Sequence, residues 1–217
     1  MKQRPEKWRS TSLAKDIRTS PFDRTPIKIT DGTLDPRDVV AALEATLPSA
    51  CQLVNSSGHC SCFLAHMPSR QQTHSLTIRE FGAIGNGISF AMGVAVAEPE
   101  ATVVLFDGDG SLLMHVQELE TIRRHGLQVI IFAINDGAYG SEIQKLRADG
   151  VPDASAVFGR PDFAAIAEGF GIMGRRLEDL GNLPRLIDEV FASEGPAVID
   201  VPVSDQVVSP VIRRSHG

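Results

Sequence analysis

A glycine-flanked acid follows one of the most apolar runs in the 217-residue chain. Residues 102–106 predict a buried strand, and Gly108-Asp109-Gly110-Ser111, here called the first turn, comes one residue later. Glycines let the backbone approach a ligand closely, and the N–H groups at the start of a following helix attract anions. Because an aspartate repels a bare phosphate, the first turn predicts that Mg²⁺ joins this carboxylate to a diphosphate. Taken alone, the turn also fits a plain strand-to-helix connection.

A second acid follows the next predicted strand. Residues 128–134 are apolar except for Gln128, and Asn135-Asp136-Gly137, the second turn, comes directly after them. In a parallel sheet both turns fall at the carboxyl edge, where ligands bind. Asp136 is therefore expected beside Asp109 as a second oxygen ligand. The alternative is that Asp136 only caps the next helix.

Apolar strands that alternate with helices must position these turns. Strands are predicted at residues 51–54, 102–106, 128–134, 172–175 and 197–201, and helices from Asp35-Pro36 and at 85–97, 112–122, 163–170 and 180–191. This alternation predicts an α/β fold with a doubly wound, mostly parallel sheet that has helices on both faces.

The chain divides by composition into three parts. Residues 1–34 are polar and rich in proline, which is typical of a linker, of an arm lying on a partner, or of a disordered tail. Residues 35–203 are expected to form one domain, and residues 204–217 a C-terminal tail. The initial Met1 favours a separate subunit over a fragment.

Charge and composition exclude several classes. The net charge of -6 argues against a nucleic-acid partner. No apolar run approaches the roughly 20 residues of a membrane helix, and no signal peptide is recognisable. A cytoplasmic protein without a membrane partner is expected. Cys51, Cys60 and Cys62 do not match a zinc or disulfide pattern and are expected to be small, half-buried side chains.

Several stretches occur in a recognisable order: Glu80-Phe81-Gly82-Ala83-Ile84-Gly85-Asn86-Gly87, the first turn, Gln117-Glu118-Leu119-Glu120-Thr121, and Asn135-Asp136-Gly137-Ala138-Tyr139-Gly140. This order resembles the diphosphate-binding domain of thiamine diphosphate enzymes, particularly the acetolactate synthase and 2-keto acid decarboxylase group. The resemblance covers roughly residues 34–203.

The resemblance implies roles for particular residues. Asp109, Asp136 and the Ala138 carbonyl would ligate Mg²⁺, with Asp136 at a position where the family usually has asparagine. Ile84 would support the bent cofactor. On physical grounds, His59 or helix N-termini are expected to offset the negative charge that Asp136 adds. The full set implied to bind thiamine diphosphate is Ser57, Gly58, His59, Gly82, Ile84, Gly108, Asp109, Gly110, Ser111, Asp136, Ala138, Tyr139 and Gly140.

The remaining polar residues have open interpretations. Glu142, Gln144 and Lys145 fit either an active-site lid, as in the family, or a solvated helix face. The polar loop 67–77, which follows His66 and contains His74, is either a substrate entrance or ordinary surface. The histidines at 115 and 125 are expected at the surface.

The resemblance also implies that this domain is half of an active site. The glutamate that activates the cofactor belongs to a pyrimidine-binding domain, which is expected on a partner chain, in a heterotetramer or a homodimer. The implied function is that of a lyase or transferase that decarboxylates a small 2-keto acid or performs acetolactate synthase-like carboligation. The alternative is a non-catalytic thiamine diphosphate-binding protein. A different nucleotide enzyme is disfavoured because neither Gly-x-Gly-x-x-Gly nor a phosphate-loop Gly-Lys-Ser/Thr occurs.

Overall fold

A six-stranded parallel sheet organises the protein. The computed structural model describes residues 15, 19, 23–64, 67 and 70–216, and in this part of the chain the strand order is β2-β1-β3-β4-β6-β5 with every pair parallel. The strands are β1 Gln52–Asn55, β2 Ser75–Thr77, β3 Val103–Gly108, β4 Val129–Asn135, β5 Met173–Arg176 and β6 Ala197–Pro202.

Helices cover both faces of this sheet, as expected of a parallel sheet. They are α1 Pro36–Thr46, α2 His59–Leu64, α3 Gly87–Ala97, α4 Asp109–Met114, α5 Glu118–His125, α6 Gly140–Ala148, α7 Phe163–Gly169, α8 Leu183–Ala192 and α9 Pro210–His216. Side chains of α1, α2 and α8 pack against one face. Side chains of α3, α4, α5 and α7 pack against the other. The predicted doubly wound α/β class is confirmed.

The central strands owe their position to their composition. Every residue of β4 and of β6 is buried, and β3 is buried up to its last residue. Branched apolar side chains on both faces of these strands match a sheet with two covered sides. Among the described residues, no helix is both long enough and apolar enough to cross a bilayer.

Several predicted boundaries shift for local reasons. α3 begins at Gly87 rather than at residue 85, because Gly85 has φ 89°, outside the helical region. α8 begins at Leu183 rather than at residue 180, with Pro184 in its first turn, where a proline needs no hydrogen-bond partner. The predicted start of α1 is confirmed, because the Asp35 side chain accepts from the Arg37 N–H.

The segments on either side of the predicted domain also contact it. Leu34 pairs with Val203 in an isolated parallel bridge, and Ile27 and Ile29 pack against the core. Helix α9 lies within the predicted tail and contacts α2 and α6. The proposed division at residues 34 and 203 stays a prediction, and much of 1–34 lies outside the described residues.

The parallel register brings three chain segments to one edge of the sheet. β3 and β4 run side by side, with Gly108 paired to Ile134, so both strands end together. β1 lies on the other side of β3, with Asn55 paired to Phe106. The first turn, the second turn and residues 56–58 therefore meet at the carboxyl edge of the sheet.

Candidate diphosphate and metal site

Asp109 joins the first turn to the second. One carboxylate oxygen, Oδ1, accepts from the Gly110 N–H at 2.8 Å. The other, Oδ2, accepts from the Gly137 N–H at 2.7 Å. Asp136 accepts from the Ala138 N–H through its Oδ1, at 3.2 Å. The backbone therefore holds both carboxyl groups at the same edge of the sheet.

This proximity is electrostatically unfavourable when no cation is bound. Burial raises the pKa of Asp109, and the charge of Asp136 raises it further. Burial also raises the pKa of Asp136, to which the charge of Asp205 adds. Two buried acids that repel each other are a suitable environment for a divalent cation, which stabilises both of them in the charged form.

Two glycines are needed for the close packing around this pair. A Cβ at Gly110 would lie 2.8 Å from the ring of Tyr139. A Cβ at Gly140 would overlap Oδ2 of Asp136 and lie 3.1 Å from His59. Any larger residue would displace Tyr139 or Asp136 from the site.

A hydroxyl and carboxyl network lies beneath the first turn. The Ser111 hydroxyl accepts from the Gly85 N–H at 2.9 Å and lies 3.3 Å from the Ser56 hydroxyl. Asp107 is buried next to them, and burial raises the pKa of its carboxyl to about 6. Sequence reasoning missed Ser56 and Asp107, because only the folded chain places them under the first turn.

Every residue that the sequence analysis assigned to the cofactor site lines a single cavity of about 370 Å³. The structure thus brings together residues from four separate stretches of the chain. Ile84 lines the same cavity as Asp109 and Asp136. Their roles toward a cofactor remain predictions. Further lining residues are Cys60, Cys62, Arg79, Ile134, Ser141, Glu142, Lys145, Val211 and Ile212.

Some of these further residues bear on alternatives left open by the sequence. Glu142 and Lys145 line the cavity and form an ion pair at 2.9 Å, while Gln144 is buried and donates to the Asp205 carbonyl. Val211 and Ile212 come from α9. They were not foreseen because residues 204–217 read as a tail.

His59 does not supply the positive charge expected from the sequence. Its Nε2 accepts from the Ser209 N–H at 3.0 Å, which requires an unprotonated nitrogen. Burial lowers the pKa of this imidazole to about 4. His59 is therefore neutral at neutral pH, and that part of the expectation is wrong.

Other side chains singled out by the sequence have no role assigned in this site. Cys51, Cys60 and Cys62 are free thiols and are buried rather than half-buried, and Cys60 and Cys62 line the cavity. His125 is exposed, whereas His115 is partly buried. His66 lies outside the described residues.

Comparison with known proteins identifies the domain. Residues 56–201 match the family model described as thiamine pyrophosphate enzyme, C-terminal TPP binding domain. The chain is 30% identical over 202 residues to the acetolactate synthase large subunit of Haemophilus influenzae, covering 91% of this chain and 34% of the relative. It is 37% identical over 152 residues to the probable chloroplastic acetolactate synthase 2 of Oryza sativa, covering 65% and 23%.

A solved structure shares the fold. The thiamine diphosphate-dependent 4-hydroxybenzoylformate decarboxylase of Rhodococcus jostii superimposes with a TM-score of 0.73 at 23% identity, over 85% of this chain and 35% of that chain. The chain thus spans about a third, or less, of the length of these proteins. From the matched residues, the chain belongs to the family of C-terminal thiamine pyrophosphate-binding domains of thiamine pyrophosphate enzymes.

Proposed function

We propose that this chain binds the Mg²⁺-diphosphate end of thiamine diphosphate in an enzyme that acts on 2-keto acids. The observation that carries the proposal is the acid pair Asp109 and Asp136, which is held by backbone N–H groups in a glycine-lined cavity. A cation that bridges this pair to a diphosphate would relieve its repulsion.

The residues present fit this group. Carboxylates and a backbone carbonyl are the hard oxygen ligands that Mg²⁺ prefers, and the Ala138 carbonyl is proposed as the third protein ligand. Within the described residues, no cluster of three or more His, Cys, Asp or Glu side chains could hold a metal. The remaining ligands would therefore come from phosphate oxygens and water, as is usual for Mg²⁺.

Two arginines are proposed to balance the extra charge of Asp136. Arg147 and Arg160 each lower the pKa of Asp136 through their positive charges. Both are fixed in place: Arg147 pairs with Asp205 at 2.7 Å, and Arg160 donates to the Val203 carbonyl at 3.2 Å. In this proposal the two arginines supply the positive charge that the sequence analysis had expected from His59.

The chemistry of the proposed reaction is supplied by the cofactor, whose thiazolium ring acts as the electron sink for cleavage next to a carbonyl. This chain would anchor the diphosphate, support the ring through Ile84 and shield the site through Tyr139. Decarboxylation and acetolactate synthase-like carboligation are both compatible with these roles. The relatives' names support this range of activities.

A covering domain is part of the proposal. Exposed apolar side chains lie around the N-terminal half of α3, among them Phe81, Phe90 and Met114. Phe81 also has φ 55°, a strained conformation for a non-glycine residue. Such a patch is typical of a protein contact, and a pyrimidine-binding domain that carries the activating glutamate would cover it. A cytoplasmic location stays a prediction.

Asp109→Ala is expected to abolish binding of thiamine diphosphate in the presence of Mg²⁺, because it removes the ligand that joins both turns. Asp136→Asn is expected to retain binding, because an amide oxygen can replace one carboxylate oxygen. Isothermal titration calorimetry measures both affinities. Asp149→Ala, an exposed acid outside the cavity, is the charge-matched control. Unchanged affinity in a folded Asp109→Ala variant would rule out the assignment.

Asp136→Asn is also expected to stabilise the chain when no metal is bound. The pKa of both acids is raised in the fold, so the folded chain keeps protons that the unfolded chain loses above the ordinary aspartate pKa of 3.8. Stability therefore falls as pH rises from about 4 toward the raised values, and the substitution removes much of this loss. Thermal unfolding with EDTA should show a larger gain in Tm at pH 8 than at pH 5. An equal gain at both values would contradict the repulsion.

When the chain is purified from its native source, we expect a pyrimidine-binding domain to co-purify with it. This domain would be either a second chain or part of a longer form of this one. The complex should decarboxylate or condense 2-keto acids, whereas the chain alone should bind cofactor without turnover. Size-exclusion chromatography with mass spectrometry and a coupled assay measure this. A monomeric chain that binds the cofactor and has no associated activity would favour the non-catalytic alternative.

A further inference from the structure

Arg79 borders two cavities. It lines the cofactor cavity and also a second cavity of about 460 Å³. Its position is set by Ile78, which is buried and whose N–H donates to the Asn55 carbonyl at 2.9 Å, extending the pairing of β1 and β2 by one residue. Arg79 therefore stands at the carboxyl edge of the sheet, where the two cavities adjoin.

The guanidinium of Arg79 has no hydrogen-bond or ion-pair partner among the described residues. Lys145 also lines the cofactor cavity, but its ammonium is already paired with Glu142 at 2.9 Å. Arg70 lines the second cavity, but its guanidinium forms an ion pair with Glu44 at 3.6 Å and donates to the carbonyls of Leu47 and Pro48. Of these three cations, Arg79 is the one whose charge is available to a ligand.

The second cavity is lined by polar groups together with the apolar side chains of Leu53, Leu64 and Met67. Ser75, Thr77 and Gln72 contribute hydroxyl and amide groups. Asn55 is 4% exposed, and its side-chain Oδ1 is buried without a hydrogen-bond partner in the described part of the chain. A buried polar atom without a partner costs free energy unless a ligand or water satisfies it. The cavity therefore has room and polar groups beside the Arg79 guanidinium.

We propose that the substrate is a 2-keto acid with a second acidic group, which Arg79 binds at the entrance of the second cavity. This inference rests on the proposed function, because it assumes that the cofactor fills the first cavity. A planar guanidinium suits a carboxylate well, since it can donate two parallel hydrogen bonds. The nearby acids and diphosphate would repel a dianionic substrate, so a cation outside the metal site is needed to hold it.

Two pairs of ligands isolate the distal charge. 2-Oxoglutarate and 2-oxopentanoate have the same chain length and differ in the distal carboxylate, as do oxaloacetate and 2-oxobutanoate. Affinity is measured by calorimetry, and KM and kcat by steady-state kinetics, on the cofactor-loaded complex with its partner chain. The variants are Arg79→Gln, the conservative Arg79→Lys, and Arg185→Gln as a matched control, since Arg185 is exposed on α8 and lines neither cavity.

The wild-type complex should prefer the diacid in at least one pair by about tenfold, which corresponds to one charge-assisted contact. Arg79→Gln should remove most of this preference through KM, with little effect on kcat or on the affinity for the monoacid and for thiamine diphosphate. Arg79→Lys should restore part of it, and Arg185→Gln should change nothing.

Three results would overturn the inference. The first is a wild-type complex that shows no preference for a diacid, and the second is an Arg79→Gln complex that keeps the preference. The third is a loss of thiamine diphosphate affinity in Arg79→Gln, because that would mean that Arg79 binds the diphosphate. Failure of the proposed function looks different. In that case the wild-type chain binds no thiamine diphosphate with Mg²⁺, or its complex turns over no 2-keto acid.

Discussion

The contact between the Asp109 carboxylate and the Gly137 N–H, at 2.7 Å, is the interaction on which the rest of the site depends. It links the turn after β3 to the turn after β4 and thereby brings Asp136 next to Asp109. The parallel register of β3 and β4 makes the contact possible, because both strands end at the same level of the sheet. Without this link the two acids would lie in independent loops and would not form the proposed cation site.

The fold maintains this arrangement against a cost. Two buried carboxyl groups with raised pKa values destabilise the metal-free chain. Tight packing around them, with no space for a Cβ at Gly110 or Gly140, prevents the loops from relaxing apart. Buried charged groups that repel each other at one point of an otherwise regular α/β domain are typical of a functional site. The matching family places thiamine pyrophosphate binding in this domain.

Much of this arrangement could be predicted because its signals are local. Continuous apolar runs predicted β3, β4 and β6, and the glycine-flanked acids after two of them predicted the site edge. β2 was missed because it has only three residues, none of them buried. The neutrality of His59 depends on its burial in the fold, and its hydrogen bond with Ser209 joins residues 150 positions apart. Val211 and Ile212 reach the cavity because α9 packs against α2 and α6, and the local sequence pattern does not predict this packing. Long-range packing accounts for the differences at His59, Val211 and Ile212.

We propose that this chain binds a diphosphate through a metal held by Asp109 and Asp136. The most direct measurement is a calorimetric titration of the unaltered chain with thiamine diphosphate, with Mg²⁺ and again with EDTA, with thiamine monophosphate as the comparison ligand. We expect strong binding of thiamine diphosphate with Mg²⁺ and weak binding of the monophosphate. With EDTA, the affinity for thiamine diphosphate should fall at least about tenfold, which corresponds to the loss of one charge-assisted contact. Equal affinity for thiamine diphosphate with and without the metal would contradict this proposal.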